Sequence, residues 1–196
     1  MEIIRTVSPW ALFGSWLCFS LLLAANHVRV RALRRRFGIA EHQPSIRDKR
    51  SMYGLALEGL SFLIAFAFAQ SPERAASWRH WLSLGSGALS VLLLGVALRH
   101  LDLQWRIKAV VTEDHRLVTS GPYGWVRHPV FLSLLGLLIA TVALLTRAWA
   151  AWVAIAVCLY GTVIRIRAED GLLARRFGQA FFEYQRRVAA LLPGIY

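Results

Sequence analysis

Five runs of apolar residues, Pro9 to Ala25, Gly54 to Ala69, Trp81 to Leu98, Val130 to Leu145 and Trp149 to Ile164, constrain this chain more than anything else in it. A helix needs about 20 residues to cross the hydrocarbon layer of a bilayer, and about 17 suffice with flanking help. Apolar residues make up 57% of the chain, more than a soluble domain of 196 residues carries. The expected fold is therefore an all-α integral membrane protein with five transmembrane helices.

The distribution of basic residues supports that reading. Of the 23 Lys and Arg, 19 fall in three segments: Asn26 to Tyr53, the stretch after the third run, and the tail after Ile164. Only Arg5, Arg74, Arg79 and Arg147 lie on the other side. The positive-inside rule then places the N-terminus outside and the C-terminus in the cytoplasm. The net charge of +12 thus follows topology, and no basic stripe interleaved with exposed aromatics points to nucleic acid. With Arg5 as the only basic residue before it, the first run reads as a retained anchor rather than a cleaved signal. Cys18 and Cys158 both fall inside spans, where small buried hydrophobes are expected, and the spacing of cysteines and histidines predicts no metal site.

The chain divides into an N-terminal three-span region, residues 1–103, and a region from 104 to 196 where the distinctive polar residues collect. In the first, Glu58 lies one turn inside the second span. An intramembrane carboxylate is a functional candidate by default, and at this shallow position the plainer expectation is that it reaches the interface or pairs with a basic residue such as Arg50. In the second, the β-favouring residues Ile107, Val110, Val111, Leu117 and Val118 flank Glu113-Asp114-His115, which predicts a short cytoplasmic hairpin. Spans four and five are separated by about three residues around Arg147, which predicts a tight antiparallel helical hairpin with Val130 beside Ile164. After Ile164 the pattern turns amphipathic, with Gly178 as a break between surface helices and Pro193-Gly194 as a stop.

Chemistry concentrates at the cytoplasmic ends of that hairpin. Thr119 to Pro129 reads Thr-Ser-Gly-Pro-Tyr-Gly-Trp-Val-Arg-His-Pro, a cluster of turn residues that keeps the backbone irregular at the membrane edge. Arg165 and Glu169 are four apart on the continuation of span five and share one helix face, with Asp170 as a second carboxylate. An ordinary i,i+4 ion pair is the plain reading of Arg165 and Glu169. The hairpin turns them toward the irregular backbone, and a concave polar pocket at the membrane surface follows. His128 before Pro129 serves either as a backbone cap or as a side-chain contact, and Tyr184 reads as an interface anchor.

Taken in order, Leu117-Val118-Thr119-Ser120-Gly121-Pro122-Tyr123, Arg127-His128-Pro129, Arg165 with Glu169-Asp170, Phe177-Gly178, Tyr184 and Pro193 resemble the isoprenylcysteine carboxyl methyltransferase family. The resemblance runs from about Gln104 to the C-terminus. It implies a membrane enzyme that takes S-adenosylmethionine in a cytoplasm-facing pocket roofed by the C-terminal helix, and a lipophilic or lipid-modified substrate that enters from the bilayer. Carried over by position, it implies cofactor contacts at Lys108, His115, Arg116, Leu117, Val118, Tyr123, His128, Pro129, Val130 and Phe131. Glu169 would take the cofactor's ammonium group, and Arg165 would face the reacting end of the substrate. Three positions depart from the family pattern: Phe131 and Phe181 stand where tyrosine is common, and Asp170 stands where a second glutamate is usual.

The chemistry of the donor agrees with these residue types. A molecule that carries a sulfonium and an ammonium needs a carboxylate to hold it in a pocket near lipid. A carboxylate acceptor needs no general base, and the paired N–H donors of Arg165 suit its alignment. The competing reading is an NADPH-dependent sterol-type reductase, which has a similar Arg-His-Pro run but usually continues it with Asn-Tyr rather than Val130-Phe131. A non-enzymatic membrane protein that keeps the fold is the third.

Overall fold

The computed structural model describes residues 2–37, 46–102, 110–111 and 117–192. Six α-helices dominate: α1 (Glu2–Arg36), α2 (Arg50–Ala67), α3 (Ser77–Leu101), α4 (Pro129–Leu145), α5 (Ala148–Phe177) and α6 (Gln179–Arg187). Two-residue strands β1 (Ile46–Arg47) and β2 (Val110–Val111) pair antiparallel, and Pro72–Arg74 and Gly121–Gly124 form 3-10 turns. Val110 and Val111 therefore pair with the loop before α2 rather than with the 117–118 segment. The remainder of the expected hairpin lies outside the described residues.

Helices α1, α3 and α5 are long and apolar enough to cross a membrane. At about 1.5 Å per residue, the 35 residues of α1 and the 30 of α5 outrun a hydrocarbon layer of about 30 Å, so each carries a charged end past it. On α1 that end is Arg34, Arg35 and Arg36; on α5 it is the stretch from Arg165 to Arg176. Helix α4 is shorter and apolar, and it touches α1, α2, α3 and α5. Eleven of its 17 residues are buried, so it is enclosed on several sides rather than on one stripe.

Small residues decide which helices run together. Gly54 and Gly161 face each other across α2 and α5, where a Cβ on Gly161 would lie 2.7 Å from the Gly54 carbonyl oxygen. Gly136 sits against Ser90, and Gly87 against Ala140, which brings α3 onto α4. In lipid, where no hydrophobic drive separates helix from solvent, close backbone approach of this kind carries much of the association. The result differs from a simple hairpin of spans four and five. Only Thr146 and Arg147 join α4 to α5, but α5 packs chiefly along α2 and α4 along α3. Val130 accordingly packs with Phe19, Leu94, Leu98 and Leu137 of α1, α3 and α4.

The end of the bundle where α4 turns into α5 is tied by hydrogen bonds to carbonyls at the ends of α4 and α2. Arg79 donates to the carbonyls of Val142 and Thr146 at 2.8 and 2.5 Å, and the Thr146 hydroxyl donates to the Ala65 carbonyl at 3.0 Å. At the other end α5 continues as one helix to Phe177, where separate surface helices are expected from the sequence. Gly178 then takes φ +52°, a left-handed conformation that favours glycine, and starts the short α6. Pro193 and Gly194 lie outside the described residues.

Candidate functional site

The crossing of α2 and α5 sets the first pair of charges. Glu58 lies one turn beyond Gly54, and Arg165 one turn beyond Gly161, on helices that run antiparallel. A helical side chain leans back toward the N-terminus of its helix, so Arg165 reaches toward Glu58. Their guanidinium and carboxylate meet at 2.6 Å with both side chains buried, and the Thr162 hydroxyl donates to the second Glu58 oxygen at 3.0 Å. Arg50 is not the partner of Glu58, because the glycine crossing delivers a cation from 107 residues away.

From Arg165 the charges continue in alternation. Glu169 lies 4.0 Å from the other Arg165 terminal nitrogen, at the loose end of an ion pair. His128 Nδ1 lies 3.5 Å from Glu169, and His128 Nε2 is 2.9 Å from Asp170. Arg127 donates to the remaining Asp170 oxygen at 3.0 Å. The row reads Glu58, Arg165, Glu169, His128, Asp170, Arg127, with a cation between each pair of anions. Burial by itself depresses the pKa of His128, but hydrogen bonds to Asp170 and Glu169 outweigh it and hold the ring above its ordinary value. With His128 charged, three cations balance three anions.

Proline at the first position of α4 fixes where His128 and Phe131 stand, since the residue before it is kept out of the helical region. The two rings stack with centroids 5.3 Å apart and planes within 5°, and the Arg165 guanidinium lies over the Phe131 ring at 4.2 Å. At Phe131, where the family commonly has tyrosine, the ring face supports a cation. Phe131 also packs with Ile166 and Ala190, which screens this side of the charge row.

The segment after α6 is strapped across the same place. The backbone N–H groups of Arg127 and His128 donate to the carbonyls of Ala189 and Ala190 at 2.8 and 3.1 Å. The Arg127 side chain donates to the carbonyls of Gln185, at 3.3 Å, and Val188, so it caps α6. Tyr184 is buried rather than anchored at an interface, because its hydroxyl donates to the Tyr123 carbonyl at 2.6 Å. Burial comes first among the causes that push the Tyr184 phenol up to about 12 and the Tyr123 phenol higher still. Phe181 is 1% exposed and meets Tyr184 edge-on, an enclosed place where a hydroxyl would need a partner.

The structure thus brings His128, Phe131, Arg165 and Glu169 together, and Pro129 is buried. Leu117 and Val118 are half-buried, and Tyr123 is buried in the 3-10 turn that Gly121 opens at φ +58°. A side chain at Gly121 would run into the His100 ring. The Val130 side chain points to α1 and α3, away from the charge row. Lys108, His115 and Arg116 lie outside the described residues. Two members of the row have little signal in the sequence: Arg127, read only as part of Arg-His-Pro, and Asp170, read only as a second carboxylate.

Comparison with known proteins bears on what such a site does. The family model described as "Isoprenylcysteine carboxyl methyltransferase (ICMT) family" matches residues 84–175, which include every member of the row except Glu58. Over that stretch the chain is similar to the isoprenylcysteine carboxyl methyltransferase family. Its members are methyltransferases. The chain is 26% identical over 205 residues to the protein-S-isoprenylcysteine O-methyltransferase of Xenopus laevis, covering 97% of this chain and 67% of that one. It is 28% identical over 168 residues to YpbQ of Bacillus subtilis, covering 81% of this chain and 95% of YpbQ. It is 36% identical over 107 residues to the cobalt-zinc-cadmium resistance protein CzcN of Cupriavidus metallidurans, covering 54% of this chain and 49% of that one.

Proposed function

We propose that this chain is an integral membrane methyltransferase that moves a methyl group from S-adenosylmethionine to a carboxylate on a lipophilic acceptor, such as an isoprenylcysteine. On this reading α1 to α5 all cross the bilayer, the N-terminus lies outside, and the charge row and α6 face the cytoplasm. The excess of arginine at that end supports the orientation.

One observation carries the reading. Among the six charged members of the row, Glu169 has the most exposed side chain, at 26%, and its contacts are the loosest, at 3.5 and 4.0 Å. Its carboxylate is therefore the one placed to take an ammonium group from outside, which is the fit the donor requires. Asp170 and Glu58 are committed to close partners at 3.0 Å or less. Leu117, Val118, Tyr123, Pro129 and Val130 would hold the rest of the cofactor; they are assigned to it by sequence position, as are Lys108, His115 and Arg116.

When bound, S-adenosylmethionine supplies an electrophilic methyl group, and the acceptor carboxylate forms its new O–C bond as the S–C bond breaks and the electron pair stays on sulfur. No proton moves, so the site needs alignment rather than a base. Arg165 aligns the acceptor carboxylate through its N–H donors, while Phe131, Ile166 and Ala190 keep water away.

Calorimetric titration of the detergent-purified protein with S-adenosylmethionine and with NADPH tests this. The donor is expected to bind, and Glu169→Ala is expected to abolish that binding. If NADPH alone binds, the sterol-type reductase reading replaces this one; normal binding by Glu169→Ala removes the assigned role of the carboxylate.

A further inference from the structure

Glu58 is an acidic residue in the interior of α2, outside the stretch that the family model matches, and 1% exposed. A carboxylate this deep in a bundle carries a large desolvation cost unless a cation meets it. Here Arg165 meets it at 2.6 Å, with Thr162 on the second oxygen. Arg165 has a second carboxylate in reach, Glu169, at 4.0 Å. The guanidinium is thus shared unequally, close to the deep acid and loosely to the shallow one, while its flat face rests over Phe131.

That inequality has a chemical consequence for the function proposed above, on which this inference rests. Glu169 serves a cofactor ammonium only if Arg165 does not occupy it, and Arg165 serves an acceptor only if it is held in one place. We propose that Glu58 is a positioning residue of the transfer step, which holds Arg165 away from Glu169 and so keeps one carboxylate for the cofactor and one guanidinium edge for the acceptor. Among the described residues, removing the charge of Glu58 leaves Glu169 as the nearest anion to Arg165. The arginine then swings onto it and competes with the ammonium group.

A double-mutant cycle read by S-adenosylmethionine affinity tests this, since binding needs no knowledge of the acceptor. Glu58→Gln, which keeps the side-chain volume, is expected to weaken binding about tenfold, within the range of coupling between interacting sites. Adding Arg165→Ala to Glu58→Gln is expected to restore affinity, because the competing guanidinium is gone, while Arg165→Ala alone, which leaves Glu58 without its cation, closes the cycle. A purely structural Glu58 predicts the same rescue, since the second change removes the guanidinium left unpaired. The unfolding midpoint of the unliganded protein separates the two: it stays near wild type in Glu58→Gln if Arg165 re-pairs with Glu169, and a fall of several degrees, with Arg165 stranded, overturns the proposal. Wild-type affinity in Glu58→Gln, or a double variant as weak as Glu58→Gln, overturns the proposal while leaving the methyltransferase reading intact. A wild-type protein that does not bind S-adenosylmethionine removes that reading and this one with it.

Discussion

Gly161→Ala examines the crossing on which the site depends. The added Cβ would sit 2.7 Å from the Gly54 carbonyl oxygen and 2.9 Å from the Leu57 Cβ. Two carbons prefer a separation of about 3.5 Å or more, so α2 and α5 must part by roughly 0.6 Å. Both obstacles lie at the α2 backbone, and no flexible side-chain tip is available to give way. Overpacking of this kind costs about 1–3 kcal/mol. Alanine also favours a helix over glycine by about 0.5–1 kcal/mol, which partly offsets the clash. Gly171→Ala on the same helix separates the two effects, because a Cβ there meets nothing within 4 Å. The propensity gain is common to both, so the two variants differ by the overpacking alone, about 1–3 kcal/mol. Thermal unfolding of the detergent-solubilised protein reads this, at about 2–4 °C for each kcal/mol in a chain of this size. Gly171→Ala is expected at or above wild type and Gly161→Ala several degrees below it. Equal midpoints for the two variants refute the close crossing, and with it the account of how Arg165 reaches Glu58.

His128 gives a pH dependence with a defined sign. Its pKa is raised in the folded protein, so its contribution is complete below the unfolded value near 6.5 and is lost as pH rises through the folded value. The unfolding midpoint is expected to fall as pH rises above about 6.5, and His128→Gln to flatten that slope; an unchanged slope removes the charged imidazole from the row. Arg127→Ala leaves Asp170 with His128 as its remaining cation and uncaps α6, a loss of about 1–3 kcal/mol for the charged hydrogen bonds removed. Protease cleavage within residues 179–192 is expected to accelerate in that variant, and an unaltered cleavage rate contradicts the strap. Arg165→Lys is expected to keep S-adenosylmethionine affinity and lose turnover, because a lysine ammonium lacks the paired donors that align a carboxylate; loss of both together assigns the residue to structure.

What the sequence shows of this site is what lies close along the chain. Arg165 and Glu169 share a helix face because four residues make one turn, and Gly178 ends α5 because a left-handed residue is needed there. The Thr119–Pro129 run forecasts irregular backbone, and a 3-10 turn and a pre-proline residue are found. What it conceals is distance. Glu58 and Arg165 are 107 residues apart, and no periodicity in either helix announces that Gly54 and Gly161 meet. The same gap hides the choice of α2 over α4 as the chief neighbour of α5, and the pairing of Val110 and Val111 with the loop before α2.

The alternation of charge explains why those distant contacts matter more than any single ion pair. Each buried ion costs several kcal/mol to desolvate, and one neighbour of opposite sign recovers only part of that. In the row from Glu58 to Arg127 the four inner members each have an opposite charge on both sides. The ends are held by other means, Glu58 by the Thr162 hydroxyl and Arg127 by the carbonyls of Gln185 and Val188. The row therefore joins α2, the start of α4, α5 and the strap after α6 through one set of interactions. A change at any member redistributes its neighbours' partners, and Glu169, with the longest contacts, has the least to lose when an outside cation arrives.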